Sequence, residues 1–212
     1  MTFPVFVTGT NLPKWVVCPA CEQLVWLVQP LGNIVGMAIL GRAQTELKNE
    51  DWTLTIVLAA IAVECELVYL FMKWSRIDLM LVRNPTDADD EEWEKQWRDD
   101  VRSIAARLDK VSGLVTGQSF DSFLSQNSGL LKAVDAQYRA SNNPASPKDF
   151  FIKEIFHRRN RIVHFGNIDS QQSDAESCLK LASVLSQILA AMDAQRRRAL
   201  ETKYSTQTQP PS

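Results

Sequence analysis

An arginine, an amide and one of the chain's two histidines lie close together at Arg159, Asn160 and His164. An imidazole exchanges protons near neutral pH, and a guanidinium can hold a phosphate through paired hydrogen bonds. An amide between them can orient either group or bind the phosphate itself. The pattern R-N-x-x-x-H therefore indicates acid–base chemistry at a phosphate group.

The residues before this motif predict a helix that carries it near the C-terminal end. Ser146 is a favoured capping residue, Pro147 suits the first helical position, and Gly166 can end the helix. Arg159 falls on the apolar stripe of this helix, four residues after Ile155. We therefore expect Arg159 to be partly buried and to need an acidic partner.

The helical periodicity also sorts the residues of the motif onto faces. Val163, four residues after Arg159, is predicted to continue the apolar stripe into the core. At about 100° per residue, Asn160, Arg161 and His164 share another face. His164 lies in the last turn, where the negative end of the helix dipole favours the protonated imidazole.

Together these residues resemble the signature of the HEPN superfamily, whose all-helical domains carry an arginine, usually a polar residue, and then a histidine four to six positions on. Arg159, Asn160 and His164 fill the three positions. The similarity is specific over about 15 residues and otherwise follows the helix order of residues 51–204. Resemblance to catalytic members implies cleavage of RNA without metal or cofactor, in a composite site formed by two copies of the motif across a homodimer.

The resemblance also implies a role for each residue. His164 would exchange the proton, Arg159 would stabilise the charge on the phosphorane, and Asn160 would orient its neighbours or hold the phosphate. The biological role implied is a toxin or an anti-phage effector that an inhibitory partner keeps inactive. Two alternatives stay open: a non-catalytic HEPN-like module that binds nucleotide or a protein partner, and a purely structural helical protein.

The most apolar stretch, residues 54–74, carries two acids near its centre. Glu64 and Glu66 would be costly in a bilayer but are ordinary in a buried helix beside a cation. Glu64 shares the apolar stripe, and Arg159 is its expected partner; Glu66 is the second choice. We therefore predict that Glu64 supports the site and that the chain does not enter a membrane. Because no secretory signal is evident, we expect a cytoplasmic location.

A net charge of −2 argues against a protein that coats nucleic acid without specificity. RNA contacts would have to come from a local basic patch, and Arg158 and Arg161 beside the motif are the candidates. Arginines 196–198 are a second candidate patch, although such a run is more typical of a solvated helix end. His157 could support His164 or could simply be a polar residue on the solvated side of the helix.

Cys18 and Cys21 form a C-x-x-C pair on a predicted turn and could supply half of a zinc site. The other two cysteines, Cys65 and Cys178, are isolated on predicted helices, so a complete zinc ribbon is excluded. A site shared between subunits, a ribbon that has lost its metal, and two reduced thiols all remain open. We predict no metal in the catalytic site.

The composition, with 45% hydrophobic and 23% charged residues, is that of a globular protein with one sizeable domain and a small extension. We predict a strand-rich extension with a C-x-x-C turn over residues 1–45, a HEPN-like helical domain over residues 46–204 and a disordered tail over residues 205–212. The fold class expected is all-α, an up-and-down helical bundle. Its apolar surface exceeds what one stripe needs, which favours a homodimer. The predicted helices span residues 49–82, 88–113, 119–125, 128–140, 147–165 and 173–198.

Overall fold

The computed structural model describes residues 5–6, 15–17, 24–28, 34–99, 101–140, 146–166 and 170–205, and these residues are predominantly helical. The described helices are α1 (Ile34–Lys48), α2 (Trp52–Met80), α3 (Asp87–Asp99), α4 (Ile104–Thr116), α5 (Phe120–Gln126), α6 (Asp135–Ala140), α7 (Pro147–Phe151), α8 (Arg158–Phe165) and α9 (Gln172–Ser205). A 3₁₀ segment, Ser128–Val134, precedes α6, and a π-helical segment, Ile152–His157, joins α7 to α8. The all-α class predicted from the sequence is confirmed.

Three short strands lie near the N-terminus: β1 (Val5–Phe6), β2 (Trp15–Val17) and β3 (Leu24–Val28). The central strand, β3, pairs parallel with β1 and antiparallel with β2. The predicted C-x-x-C turn at Cys18 and Cys21 lies outside the described residues.

The predicted boundary at residue 45 needs correction. Residues Ile34–Lys48 form a helix, α1, which packs along α2 and buries Ala43 completely. A break of three residues links α1 to α2, and Asp51 caps α2 by accepting a hydrogen bond of 2.9 Å from the Leu54 amide. The helical bundle therefore begins well before the boundary, and Asp51 caps α2 two residues after the predicted helix start at residue 49.

Two further helix boundaries differ from the sequence prediction. The helix expected over residues 88–113 is interrupted after Asp99, and Ser103 starts α4 by accepting a hydrogen bond from the Ala106 amide at 3.1 Å. Helix α9 starts at Gln172, one residue before the predicted start, and continues to Ser205, beyond the predicted end at residue 198. The apolar periodicity of the sequence runs through the break between α3 and α4 because both helices pack one face against α2.

Helices α2 and α9 lie side by side at the centre of the bundle. By length and composition alone, α2 and residues Gln172–Lys203 of α9 are apolar enough to cross a membrane. Half of the most apolar window of α2 and 56% of that of α9 is buried within the protein, which is also the pattern of core helices.

A buried polar cluster joins α2 to α9. Asp193 accepts hydrogen bonds at one carboxylate oxygen, Oδ1, from Lys73 Nζ at 2.6 Å and from Trp74 Nε1 at 2.8 Å. Its other oxygen lies 3.2 Å from Arg197 Nε. Because Asp193 and Lys73 are 6% and 8% exposed, each charge depends on the other for compensation. The cluster therefore links α2 to α9 through buried charges.

Candidate functional site

The helix that carries the R-N-x-x-x-H motif begins and ends as its sequence predicts. The Ser146 hydroxyl accepts a hydrogen bond from the Asp149 amide at 3.2 Å, and Pro147 occupies the first turn. Gly166 ends the helix with a left-handed backbone, φ 63°, which lets its amide donate to the Ile162 carbonyl at 3.1 Å. The motif therefore sits in the last two turns of a well-capped helix.

Between these ends, the helix contains a π-helical segment over Ile152–His157 that the sequence did not predict. A π turn adds a residue to the turn and shifts the phase of every side chain after it. The apolar face changes as a result: Ile155 is fully buried, Ile162 is partly buried, and Val163 is 53% exposed. The prediction that Val163 continues the core stripe was wrong, because its face of the helix points away from α2 after the π turn.

Arg159 is bound by Glu64 of α2, the partner expected from the sequence. Its Nη2 atom donates a charge-assisted hydrogen bond to Glu64 Oε1, and the two side chains are 20% and 25% exposed. The Arg159 Nε–H is buried without an acceptor among the described residues. An unmatched buried donor costs about 1–3 kcal/mol and is more common where function constrains the structure.

Arg158 is more fully neutralised than Arg159. It donates to Glu154 Oε2 at 2.7 Å and also forms an ion pair with Asp174 at the start of α9. Burial lowers the pKa of Arg158, but the hydrogen bonds to Glu154 and Asp174 outweigh burial and raise it. Arg158 therefore ties the motif helix to α9, and both of its acidic partners were missed by the sequence reasoning. Glu154 was visible as an acid one helical turn earlier, whereas Asp174 gave no signal.

The remaining motif residues face solvent to different degrees. Asn160 is partly buried, whereas Arg161, His164 and His157 are exposed. Within the described part of the chain, these four side chains have no hydrogen bond or ion pair that ties them down. The structure thus brings one exposed imidazole and one anchored guanidinium onto the same two helical turns.

Two apolar side chains next to His164 are also exposed. Phe165 is 81% exposed and Val163 is 53% exposed, and they flank the histidine in the sequence. Large exposed apolar side chains beside a polar site are typical of surfaces that meet another protein. The end of α8 therefore combines a titratable group with surface suited to a protein partner.

The described residues contain no group of three or more histidines, cysteines or acids placed to hold a metal ion. Cys178, on α9, is fully buried, and burial raises the pKa of its thiol to about 12. The pKa of Cys65, next to Glu64, is also raised, first by burial and then by the neighbouring carboxylate. Both shifts disfavour the thiolate, which is the nucleophilic form of cysteine.

Comparison of the chain with protein-family models, with curated proteins and with solved structures gives no match. The function must therefore be argued from the geometry of the motif helix and the groups around it.

Proposed function

We propose that the protein is a metal-independent endoribonuclease of HEPN type that acts as a homodimer through Arg159, Asn160 and His164. One observation carries the proposal: Glu64 holds the Arg159 guanidinium on the same two helical turns that expose the His164 imidazole. In transesterification at a phosphate, an anchored cation can stabilise the phosphorane and an exposed imidazole can exchange a proton.

In this mechanism the 2′-hydroxyl of RNA attacks the adjacent phosphorus. A bond forms between the 2′-oxygen and phosphorus, the bond to the 5′-oxygen breaks, and the products are a 2′,3′-cyclic phosphate and a 5′-hydroxyl. His164 of one copy accepts the proton of the 2′-hydroxyl, and the same residue of the second copy donates a proton to the departing 5′-oxygen. Arg159 stabilises the phosphorane, and Asn160 holds a phosphate oxygen or orients its neighbours.

The exposed apolar residues Val163 and Phe165 support the dimer in this proposal. A symmetric contact through the end of α8 would bury both side chains and bring the two His164 residues toward each other. The contact would also remove water from the site, which strengthens the electrostatic effect of Arg159.

In this proposal the exposed cation Arg161 makes the main contact with the RNA. Arg158 could take part only by leaving Glu154 and Asp174, so we give it a positioning role. His157, the exposed last residue of the π-helical segment, is a supporting group at most. The wider proposal includes a HEPN-like identity for the bundle, a separate strand-rich N-terminal extension, a cytoplasmic location, and a toxin or defence role with an inhibitory partner.

A second candidate is a non-catalytic HEPN-like module that binds nucleotide or a protein partner. The observation that favours it is the neutralisation of Arg158 and Arg159 by three acids, which leaves less positive charge for RNA. The exposed Phe165 suits a protein partner equally well.

The deciding experiment incubates end-labelled RNA with the purified protein in excess EDTA and analyses the new ends. The parent should leave 2′,3′-cyclic phosphate, and His164→Ala should reduce cleavage by about 10²- to 10⁴-fold. Because His164 is exposed, this variant should keep the parent's melting temperature. Lys153→Ala, which removes an exposed cation from the same helix, is the matched control and should cleave like the parent.

Cleavage that survives in His164→Ala would show a contaminating nuclease or another catalytic group. Intact RNA with the parent across single-stranded, structured and transfer RNA would favour the binding module instead.

A further inference from the structure

A groove of about 530 Å³ lies on the opposite side of α2 from the motif helix, between α1, α2 and α9. Helix α1 contributes Met37 and Leu40, α2 contributes Glu66 and Tyr69, and α9 contributes Ser186 and Arg197 among others. The volume is in the range of pockets that bind small organic molecules. None of the proposed catalytic residues lines the groove, so binding there does not depend on the proposed function.

Most of the charge in this groove is already compensated. Asp193 interacts through Oδ1 with Lys73 and Trp74, and through Oδ2 with Arg197. Arg197 is therefore paired with the acid one turn before it. Among the charged residues that line the groove, this leaves the Glu66 carboxyl without a partner of opposite charge in the described part of the chain.

Glu66 lacks a cationic partner among the described residues. Its carboxyl accepts a hydrogen bond from the Ser186 hydroxyl, and its other charged neighbour is the like-charged Asp193. Helix α1 brings no charged side chain to the groove. Burial first, and Asp193 second, raise the pKa of Glu66 to about 7, against the effect of the Ser186 hydrogen bond.

The walls around Glu66 suit the apolar part of a ligand. Leu40, Leu70, Ala190 and the flexible Met37 supply aliphatic surface, and the Tyr69 ring supplies an aromatic face. Tyr69 already has a cation near its ring, since Lys73 Nζ lies 5.8 Å from the ring centroid. The groove therefore combines apolar walls with one carboxyl that has no cationic partner among the described residues. A ligand that carries a positive group on an apolar body would complement both features.

We propose that this groove binds a small organic cation, an amine or amidine on an apolar or aromatic body, whose positive group pairs with Glu66. The positive group donates to the carboxylate in place of solvent, and the apolar body covers Leu40, Leu70 and Met37. The Lys73–Asp193–Arg197 cluster stays intact and forms the rigid end of the groove.

The test uses the full chain and two cations, phenethylamine and benzamidine, with the neutral molecules of closest shape, 2-phenylethanol and benzamide. Affinities are measured by saturation-transfer NMR titration at pH 8. Each cation should bind at least about fivefold more tightly than its neutral counterpart, because the positive group adds an ion pair in a partly desolvated site. Between pH 6 and pH 8 the affinity for a cation should rise by about tenfold as Glu66 ionises.

Three variants complete the design. Glu66→Gln should remove the preference for the cation and its dependence on pH. Glu91→Gln, which neutralises an exposed acid of α3 outside the groove, should leave both unchanged. Ala190→Phe places a large ring at an exposed position of the groove and should weaken all four molecules while keeping the fold.

The proposal is overturned if neither cation binds the parent more tightly than it binds Glu66→Gln. It is also overturned if cations and neutral molecules bind equally, or if Ala190→Phe leaves their binding intact. These results are distinct from those of the RNA experiment, because Glu66 and Ala190 do not belong to the motif helix.

Discussion

Two partly buried acids of α2, separated by a single residue, have their carboxyl groups compensated in different ways. Glu64 and Glu66 are about 200° apart around the helix, so they lie on nearly opposite sides. Glu64 meets the Arg159 guanidinium of α8. Among the described residues, Glu66 meets the Ser186 hydroxyl and a second acid, Asp193, across the groove.

The difference shows that partner availability decides how each charge is satisfied. On the α8 side an arginine removes the cost of burial, and the pair holds the motif in place. On the groove side, Lys73 and Arg197 are already paired with Asp193. Burial therefore favours the protonated form of Glu66, and its pKa rises to about 7. The first arrangement suits positioning, and the second suits binding.

The largest effect on stability is expected from the polar cluster of the groove side. Asp193→Ala should lower the free energy of unfolding by about 3–5 kcal/mol, because it leaves the buried Lys73 ammonium without its counter-ion. Urea denaturation measures the change. Asp99→Ala, whose side chain is 47% exposed, is the control and should change stability little. Equal losses in the two variants would show that the cluster does not join α2 to α9 energetically.

The next effect is expected on the α8 side. Arg159→Ala should cost about 1–3 kcal/mol, less than the Asp193 variant, because the pair it breaks is only partly buried. It should also remove RNA cleavage. The double variant Glu64→Leu/Arg159→Met should recover stability without recovering cleavage. If the stable double variant still cleaved RNA, the Glu64–Arg159 pair would have a structural role and no role in catalysis.

Between pH 5 and pH 8, Glu66→Gln should reduce the loss of stability with rising pH by about 2 kcal/mol. The pKa of Glu66 is about 7 in the folded protein against 4.5 for the free side chain, so the folded state binds more protons between these values. The contribution of Glu66 to stability is therefore fully present below about pH 4.5 and is lost as the pH rises through 7. Thermal unfolding from pH 5 to pH 8 should show a smaller decline for Glu66→Gln than for the parent. If the stability of the parent and of Glu66→Gln fell equally with pH, the raised pKa of Glu66 would be contradicted.

The smallest change in stability is expected at the exposed end of α8. Phe165→Ser should alter the free energy of unfolding by no more than about 0.5 kcal/mol, because the side chain is not packed in the isolated chain. It should nevertheless weaken the proposed dimer, which sedimentation velocity over a concentration series can detect. Val82→Ser, at a residue 84% exposed after α2, is the matched control and should keep the association of the parent. Identical behaviour of the two variants would argue against a dimer through α8.

Sequence reasoning worked best where the signal was local or periodic. The capping serine Ser146 and the terminal glycine Gly166 were predicted correctly because each acts on backbone groups within one turn. The Glu64–Arg159 pair was predicted correctly because both residues interrupt apolar stripes, and a buried charge needs a partner. The helical character of α1 was missed because β-forming residues before it dominate the composition of that region.

The sequence by itself determined an all-α chain, the ends of the motif helix and the need of Glu64 for a cation. These features follow from backbone capping, helical periodicity and the cost of burying charge, all of which act along the chain. Only the tertiary structure decided that a π turn exposes Val163, that Arg158 is bound by Asp174, and that Glu66 faces a groove whose cations already belong to Asp193. Those outcomes depend on which helices come together, and the spacing of residues within one helix does not contain that information.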